Sequence, residues 1–300
     1  MKNADTFRQY TWLVNTIQRA KNITFEQIRY LWATNDLNEG KTLSRTTFYR
    51  LRQSIEDMFG IRIECDTKHQ YYISNPETLH DNSTQNWMLQ TLTVSNILVD
   101  SLSIRDRLVL EEIPGGTQHL QTIINAIKNS HTLCMTYQGF EYPEAKTAIV
   151  EPYCLKVFRQ RWYLLCKNKS KHNDLRIHAL DRIIELAETN EHFELDSSFD
   201  AENFFKNYFG VFIGENEKPT RIVLRAYGKM IPLIRTLPKH SSQKEIKTTD
   251  EYCDFEYYLS PTFDFRQEIL KEGHELEVIE PESLRKKIYD ELMKAVKRYK

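Results

Sequence analysis

Residues 42–73 read TLSRTTFYRLRQSIEDMFGIRIECDTKHQYYI. Phe48, Leu51, Ile55 and Phe59 recur at intervals of three and four, which on a helix gathers them into one apolar stripe, and Ser44 stands where an N-cap belongs. Thr46, Tyr49, Arg50 and Gln53 fall on the other side. Together with Arg45 at the start, they are residue types that hydrogen-bond base edges and phosphates when a helix lies in a major groove. Gly60 stops the helix. Beyond it Ile61, Ile63 and Cys65, then Tyr71 and Ile73, alternate with polar residues as two strands joined by a charged tip that carries Lys68. The pattern predicts a winged helix. An ordinary solvated helix with a few arginines fits the same stripe, so the block does not decide the matter alone.

Working outward, residues 5–20 place Phe7, Tyr10, Leu13, Val14 and Ile17 at helical spacing, and residues 24–34 do the same with Phe25, Ile28, Leu31 and Trp32. Three helices and then a hairpin follow the helix-turn-helix order. Residues 1–75 contain 11 Lys or Arg against 8 Asp or Glu, a positive excess suited to phosphate contact. The whole chain of 300 residues carries a net charge of only -1, so basic surface is placed, at the N-terminus and again between Lys128 and Arg182, and not spread.

Hydrophobic content of 40% with nine Gly and nine Pro describes a globular chain long enough for two or three domains. The five cysteines, Cys65, Cys134, Cys154, Cys166 and Cys253, are far apart and sit in apolar or strand-like runs without CxxC or Cys/His pairing; buried free thiols are expected, with no metal and no cofactor. The N-terminal segment lacks an apolar signal region and no window approaches a membrane span, which predicts a cytoplasmic protein without membrane contact.

Residues 75–83, with Pro76 and a polar run, mark a first boundary. Residues 84–112 follow with Trp87, Leu89, Leu92, Val94, Ile97, Leu98, Leu102 and Ile104 at mixed helical spacing, a linker whose apolar face needs either the chain's own next domain or a second copy. Pro114, Gly115 and Gly116 then break the chain. A helix over 118–128 precedes five short strands, over 133–138, 145–153, 160–167, 174–180 and 183–189, the pattern of a small barrel or strongly bent sheet. No dinucleotide or P-loop glycine pattern occurs.

Alternation in this sheet points Trp162, Leu164 and Cys166 one way and Arg161 and Tyr163 the other. Arg176, His178 and Arg182 share a parity. If the strands neighbour one another, these cations converge with Tyr137 on one concave face, as a phosphate-bearing ligand or single-stranded nucleic acid requires. The bland reading is a solvated face with the arginines paired to Glu151 or Asp181.

The run Arg161-Trp162-Tyr163-Leu164, with Tyr137 and Glu151-Pro152-Tyr153 before it and Arg176 and Leu180-Asp181-Arg182-Ile183 after it, resembles the WYL domain of bacterial transcriptional regulators. The tail fits their C-terminal extension: Arg221-Ile222-Val223-Leu224, Pro261-Thr262-Phe263, and Val278 to Arg285 before a last helix. The resemblance implies a winged helix-turn-helix at 1–75, a helical linker at 76–117, an Sm- or SH3-like barrel at 118–192 that senses a ligand, a linker helix at 193–219 and an α+β extension at 220–300. It puts the ligand cluster on Tyr137, Arg161, Tyr163, Arg176 and Arg182. His178 departs from the family's usual Phe or Tyr; it joins the candidate set as a source of pH-dependent charge, the alternative being a hydrogen-bonded structural histidine.

The expected partners are a double-stranded DNA operator, single-stranded nucleic acid or a phosphorylated ligand at the barrel, and a second copy of the chain as homodimer. The other class is an accessory nucleic-acid-binding module that regulates a partner protein. Catalysis is not expected: there is no nucleophile elbow, no HExxH and no carboxylate cluster at metal spacing.

Overall fold

The computed structural model describes residues 2–34, 42–79, 83–100, 107, 115–140, 143–168, 174–214 and 217–300, with the backbone alone at 2–5 and 96–100. The chain divides into two compact units, Met1–Glu111 and Glu112–Lys300, in a mixed α/β architecture with several antiparallel sheets.

In the first unit α1 (Lys2–Ala20), β1 (Ile23–Thr24), α2 (Phe25–Ala33) and α3 (Arg45–Phe59) lead into the hairpin β2 (Ile63–Cys65) and β3 (Gln70–Ile73). Thr24 caps α2 in a reciprocal box with Gln27, Ser44 accepts from the Thr47 amide at 3.1 Å to start α3, and Gly60 at φ 68 ends it. At the hairpin tip the Asp66 carboxylate accepts from the Lys68 and Gln70 amides at 2.9 and 2.8 Å. β3 lies between β1 and β2. One core receives Leu13, Val14, Ile17, Ile28, Phe48, Leu51 and Ile55. Asn75, buried beside it, is satisfied at both ends: its carbonyl accepts from the Arg62 amide and its NH2 donates to Gly60 O, each at 2.8 Å.

A 3-10 turn at Pro76–Leu79 and α4 (Thr84–Asp100) follow. Leu79 and Leu89 are buried in that same core and Leu92 packs against it, while Trp87 and Val94 are exposed. The linker's apolar face therefore finds part of its partner within its own unit. The side chains of Ile97, Leu98, Leu102 and Ile104, and Pro114 of the chain break, lie outside the described residues.

The second unit begins with α5 (Leu120–Asn129) and the strands β4 (His131–Tyr137), β5 (Lys146–Phe158), β6 (Arg161–Asn168), β7 (Leu175–Ala179) and β8 (Ile183–His192), in the order β7-β6-β5-β4-β8, every pair antiparallel. The expected barrel is not closed: among the described residues no ladder joins β7 to β8. The sheet is nonetheless strongly curled. A flat five-stranded sheet would hold its edges about 19 Å apart, whereas the 3-10 turn Leu180–Arg182 takes the chain from the end of β7 to the start of β8 in at most about 14 Å. Register shifts at Pro152/Cys154 and Thr136/Tyr137 supply bends. The concave side holds Ile123, Ala126, Leu133, Met135, Val150, Leu164 and Cys166; the convex side is covered by Phe193, Phe199, Phe204 and Phe205, which pack on Tyr153 and Leu165.

After α6 (Ala201–Phe205), the remaining elements are β9 (Thr220–Tyr227), α7 (Met230–Thr236), β10 (Lys244–Thr248), β11 (Tyr252–Leu259), α8 (Phe263–Lys271), β12 (Leu276–Glu280) and α9 (Glu282–Arg298), with sheet order β10-β11-β9-β12 over a core of Leu224, Phe255, Tyr257 and Phe265. The tip of the β5–β6 hairpin touches this part. Arg159 pairs with Glu268 of α8, and the Phe158 and Phe209 rings meet at 5.9 Å.

Of the five cysteines only Cys166 and Cys253 are buried; Cys134 and Cys154 are half-buried, and Cys65, opposite Tyr71, is exposed because it ends the edge strand β2 at the hairpin tip. Among the described residues no helix is long and apolar enough to cross a membrane.

Candidate functional site

On α3 burial divides the side chains as the stripe requires. Phe48, Leu51, Ile55 and Phe59 face the core, and Arg45, Thr46, Tyr49, Arg50 and Gln53 are exposed, as is Lys68 at the hairpin tip. Several of these are already oriented. The Arg45 guanidinium lies over the Phe25 ring at 4.6 Å, Gln53 donates to Asp57 at 2.9 Å, and the Tyr49 and Tyr71 hydroxyls are hydrogen-bonded to each other.

In the curled sheet the six candidate residues do not form one cluster. Residues directly opposite in an antiparallel pair share a face. Leu164 faces His178 and Cys166 faces Arg176, so both of these β7 side chains lie on the concave side; Tyr163 faces Ala179 and Lys156, on the convex side with Leu165. The expected convergence of Tyr163 with Arg176 and His178 is therefore corrected by a register offset that alternation within single strands does not reveal. Arg176 is exposed on β7.

The remaining four meet at the Leu180–Arg182 turn. The Tyr137 and His178 rings stand edge-on with centroids 4.6 Å apart. The Tyr137 hydroxyl also hydrogen-bonds the Ala179 backbone and the Arg182 side chain; burial raises its pKa and the nearby Arg182 charge opposes that rise. Arg182 stacks at 3.4 Å on Phe140, a ring 84% exposed. Arg161 reaches the turn from the end of β6, its Nη2 3.1 Å from Asp181 Oδ2, which is one of the two pairings the bland reading named.

This ion pair is incompletely satisfied. Arg161 Nε and Asp181 Oδ1 are both buried without a hydrogen-bond partner, a state that costs about 1–3 kcal/mol per group. Two arginines against one aspartate leave the cluster with an excess positive charge. Gly116, at φ 98, lets the preceding loop press on the turn: a Cβ there would lie 2.5 Å from the Asp181 nitrogen. Next to it, His119 Nε2 is 3.2 Å from Ile183 O. Phe140 and Gly116 were missed by periodicity, since both lie in turns. The one signal for Phe140 was a large aromatic directly after Gln138-Gly139 in a polar connection.

No curated protein matches the chain. Among solved structures, proteasome accessory factor B/C (PafBC) of Arthrobacter aurescens is 17% identical, with 95% of this chain and 46% of that chain covered and a TM-score of 0.35; this chain spans about half the length of that protein. A CRISPR Cas-related protein is 10% identical, with 99% and 85% covered and a TM-score of 0.41. Family models match over most of the second unit: residues 118–188 match the WYL domain and residues 218–296 the WCX domain.

Proposed function

We propose that the chain is a DNA-binding transcriptional regulator with no catalytic step, in which a winged helix-turn-helix in the first unit binds duplex DNA and the curled WYL sheet senses a nucleic acid or related anion. The observation that carries the reading is the Arg161–Asp181–Arg182 turn: a buried guanidinium N–H without an acceptor, a buried carboxylate oxygen without a donor, and an arginine stacked on an exposed ring. A nucleotide supplies each complement. Phosphate oxygens accept from Arg161 Nε, a sugar hydroxyl donates to Asp181 Oδ1, and a base stacks beside Phe140. The outward polar face of α3 supports the DNA half of the reading, and a homodimer would place two such helices in successive major grooves. Ligand at the sheet then shifts the population of dimers whose spacing fits the operator.

The test is selection of duplex fragments by the purified full chain at fixed salt, with and without short 5′-phosphorylated oligonucleotides. A repeated half-site whose occupancy changes with oligonucleotide is the expected result. Retention of random duplexes with equal affinity would refute operator recognition, and an occupancy unaffected by any oligonucleotide would refute sensing.

A further inference from the structure

At the end of the curled sheet away from the Leu180–Arg182 turn, His131 on β4 and His192 on β8 are direct cross-strand partners. Their rings are 4.4 Å apart and their Nε2 atoms 3.3 Å apart. The other nitrogen of His131, Nδ1, is 2.7 Å from Glu188 Oε1, and Asn129 donates to that same oxygen at 3.0 Å. The Glu188 carboxylate oxygen accepts from both side chains. The His131 proton is therefore fixed on Nδ1 and the Nε2 lone pair is left facing His192.

We propose that His131 and His192 form a binding site for a divalent transition ion of the copper, nickel and zinc class, with Glu188 and Asn129 as the support behind the first ligand. Two nitrogens each about 2.05 Å from a tetrahedral ion are about 3.3 Å apart, the separation found here. A carboxylate on the far nitrogen of a ligating histidine orients the ring and raises its basicity. Among the described residues no third His, Cys, Asp or Glu completes the set, so water fills the other positions and the site is an exchangeable one. His131 is a quarter or less exposed and His192 is exposed, which leaves the ion an open approach. Binding replaces the Nε2–H of His192, whose proton moves to Nδ1 or to solvent. The ion would clip β8 to β4 where the chain leaves the sheet and Phe193 donates to Ser130 O at 2.9 Å.

The experiment is calorimetric titration of the untagged, chelator-treated full chain with Zn2+ and with Cu2+, alongside thermal melts. One equivalent is expected, Cu2+ tighter than Zn2+, with a rise in melting temperature that excess chelator reverses. Because the chain has nine histidines, the assignment rests on variants. His192→Ala, at an exposed position, should keep the fold and weaken binding at least tenfold; Glu188→Gln should weaken it about 10- to 100-fold. Absence of saturable binding in the wild type, or binding unaltered in His192→Ala, would overturn the site.

Discussion

The ring of His178 on β7 meets the ring of Tyr137 on β4 at 4.6 Å, although β5 and β6 lie between those strands in the sheet. Three strand spacings in a flat sheet amount to about 14 Å, so the contact exists only because the sheet folds over its concave side. That curl brings Arg182 and Asp181 within reach of side chains from three strands, and it makes the turn a site instead of a connection.

Removing the stacked arginine tests the site directly. Arg182→Ala is expected to lower affinity for a short single-stranded oligonucleotide by tenfold or more, about 1.4 kcal/mol, and to reduce the salt slope by about 0.7 for the phosphate it neutralises. Arg176→Ala removes the same charge from an exposed position apart from the turn and should change affinity far less. Fluorescence anisotropy at several salt concentrations measures both. Equal losses would show that charge alone, not this turn, holds the ligand.

Arg50 is exposed on α3, opposite the buried stripe. Arg50→Ala should weaken duplex binding and lower its salt slope by about one, while stability stays within about 0.5 kcal/mol. A mobility-shift titration at fixed salt, with a melt of the same sample, checks the pair of outcomes. Unaltered affinity would remove α3 from the interface.

The first unit was the more legible because its information is local. The period of Phe48, Leu51, Ile55 and Phe59, the Ser44 cap and the Gly60 stop each specify backbone within a few residues, and all three are found. The sheet of the second unit depends on pairing between distant residues, which alternation alone does not give. Arg161 and Tyr163 share a parity and so do Arg176 and His178, yet only the register Leu164↔His178 says that the two sets take opposite faces. Arg161 still joins Arg182, because it sits at a strand end and extends past the sheet to Asp181. The curl of the sheet was equally invisible, being set by the short Leu180–Arg182 turn and by register shifts.

Phe48 is fully buried, in edge contact with Phe25 at 5.4 Å and Tyr71 at 4.7 Å, and so joins α2, α3 and the hairpin. Phe48→Ala is expected to cost about 3–5 kcal/mol, because neighbours on three elements cannot all move in to fill the space. The effect belongs to the first unit: urea unfolding followed through that unit should show an early transition, and duplex binding should fall with it. An unshifted transition would mean that this core does not hold the helices and hairpin together.

Lys156 on β5 donates to Gly210 O at 2.7 Å and lies over the Phe205 ring at 3.9 Å. Burial brings its pKa down to about 8 from 10.5, although Asp264 and Cys154 act in the opposite sense. Between these values the unfolded chain holds a proton that the folded chain has released, so the contribution of this lysine to stability rises with pH from about 8 to 10.5. Below about 8 both states are charged and the full burial penalty applies. Lys156→Met removes the penalty together with the Gly210 hydrogen bond. Relative to wild type, the variant should therefore be at its best near pH 7 and lose that advantage toward pH 10.5, by no more than about 3 kcal/mol at about 1.4 kcal/mol per pH unit. Urea midpoints at pH 7, 9 and 10.5 give the comparison, and parallel profiles for the two proteins would show that Lys156 keeps its charge at ordinary cost.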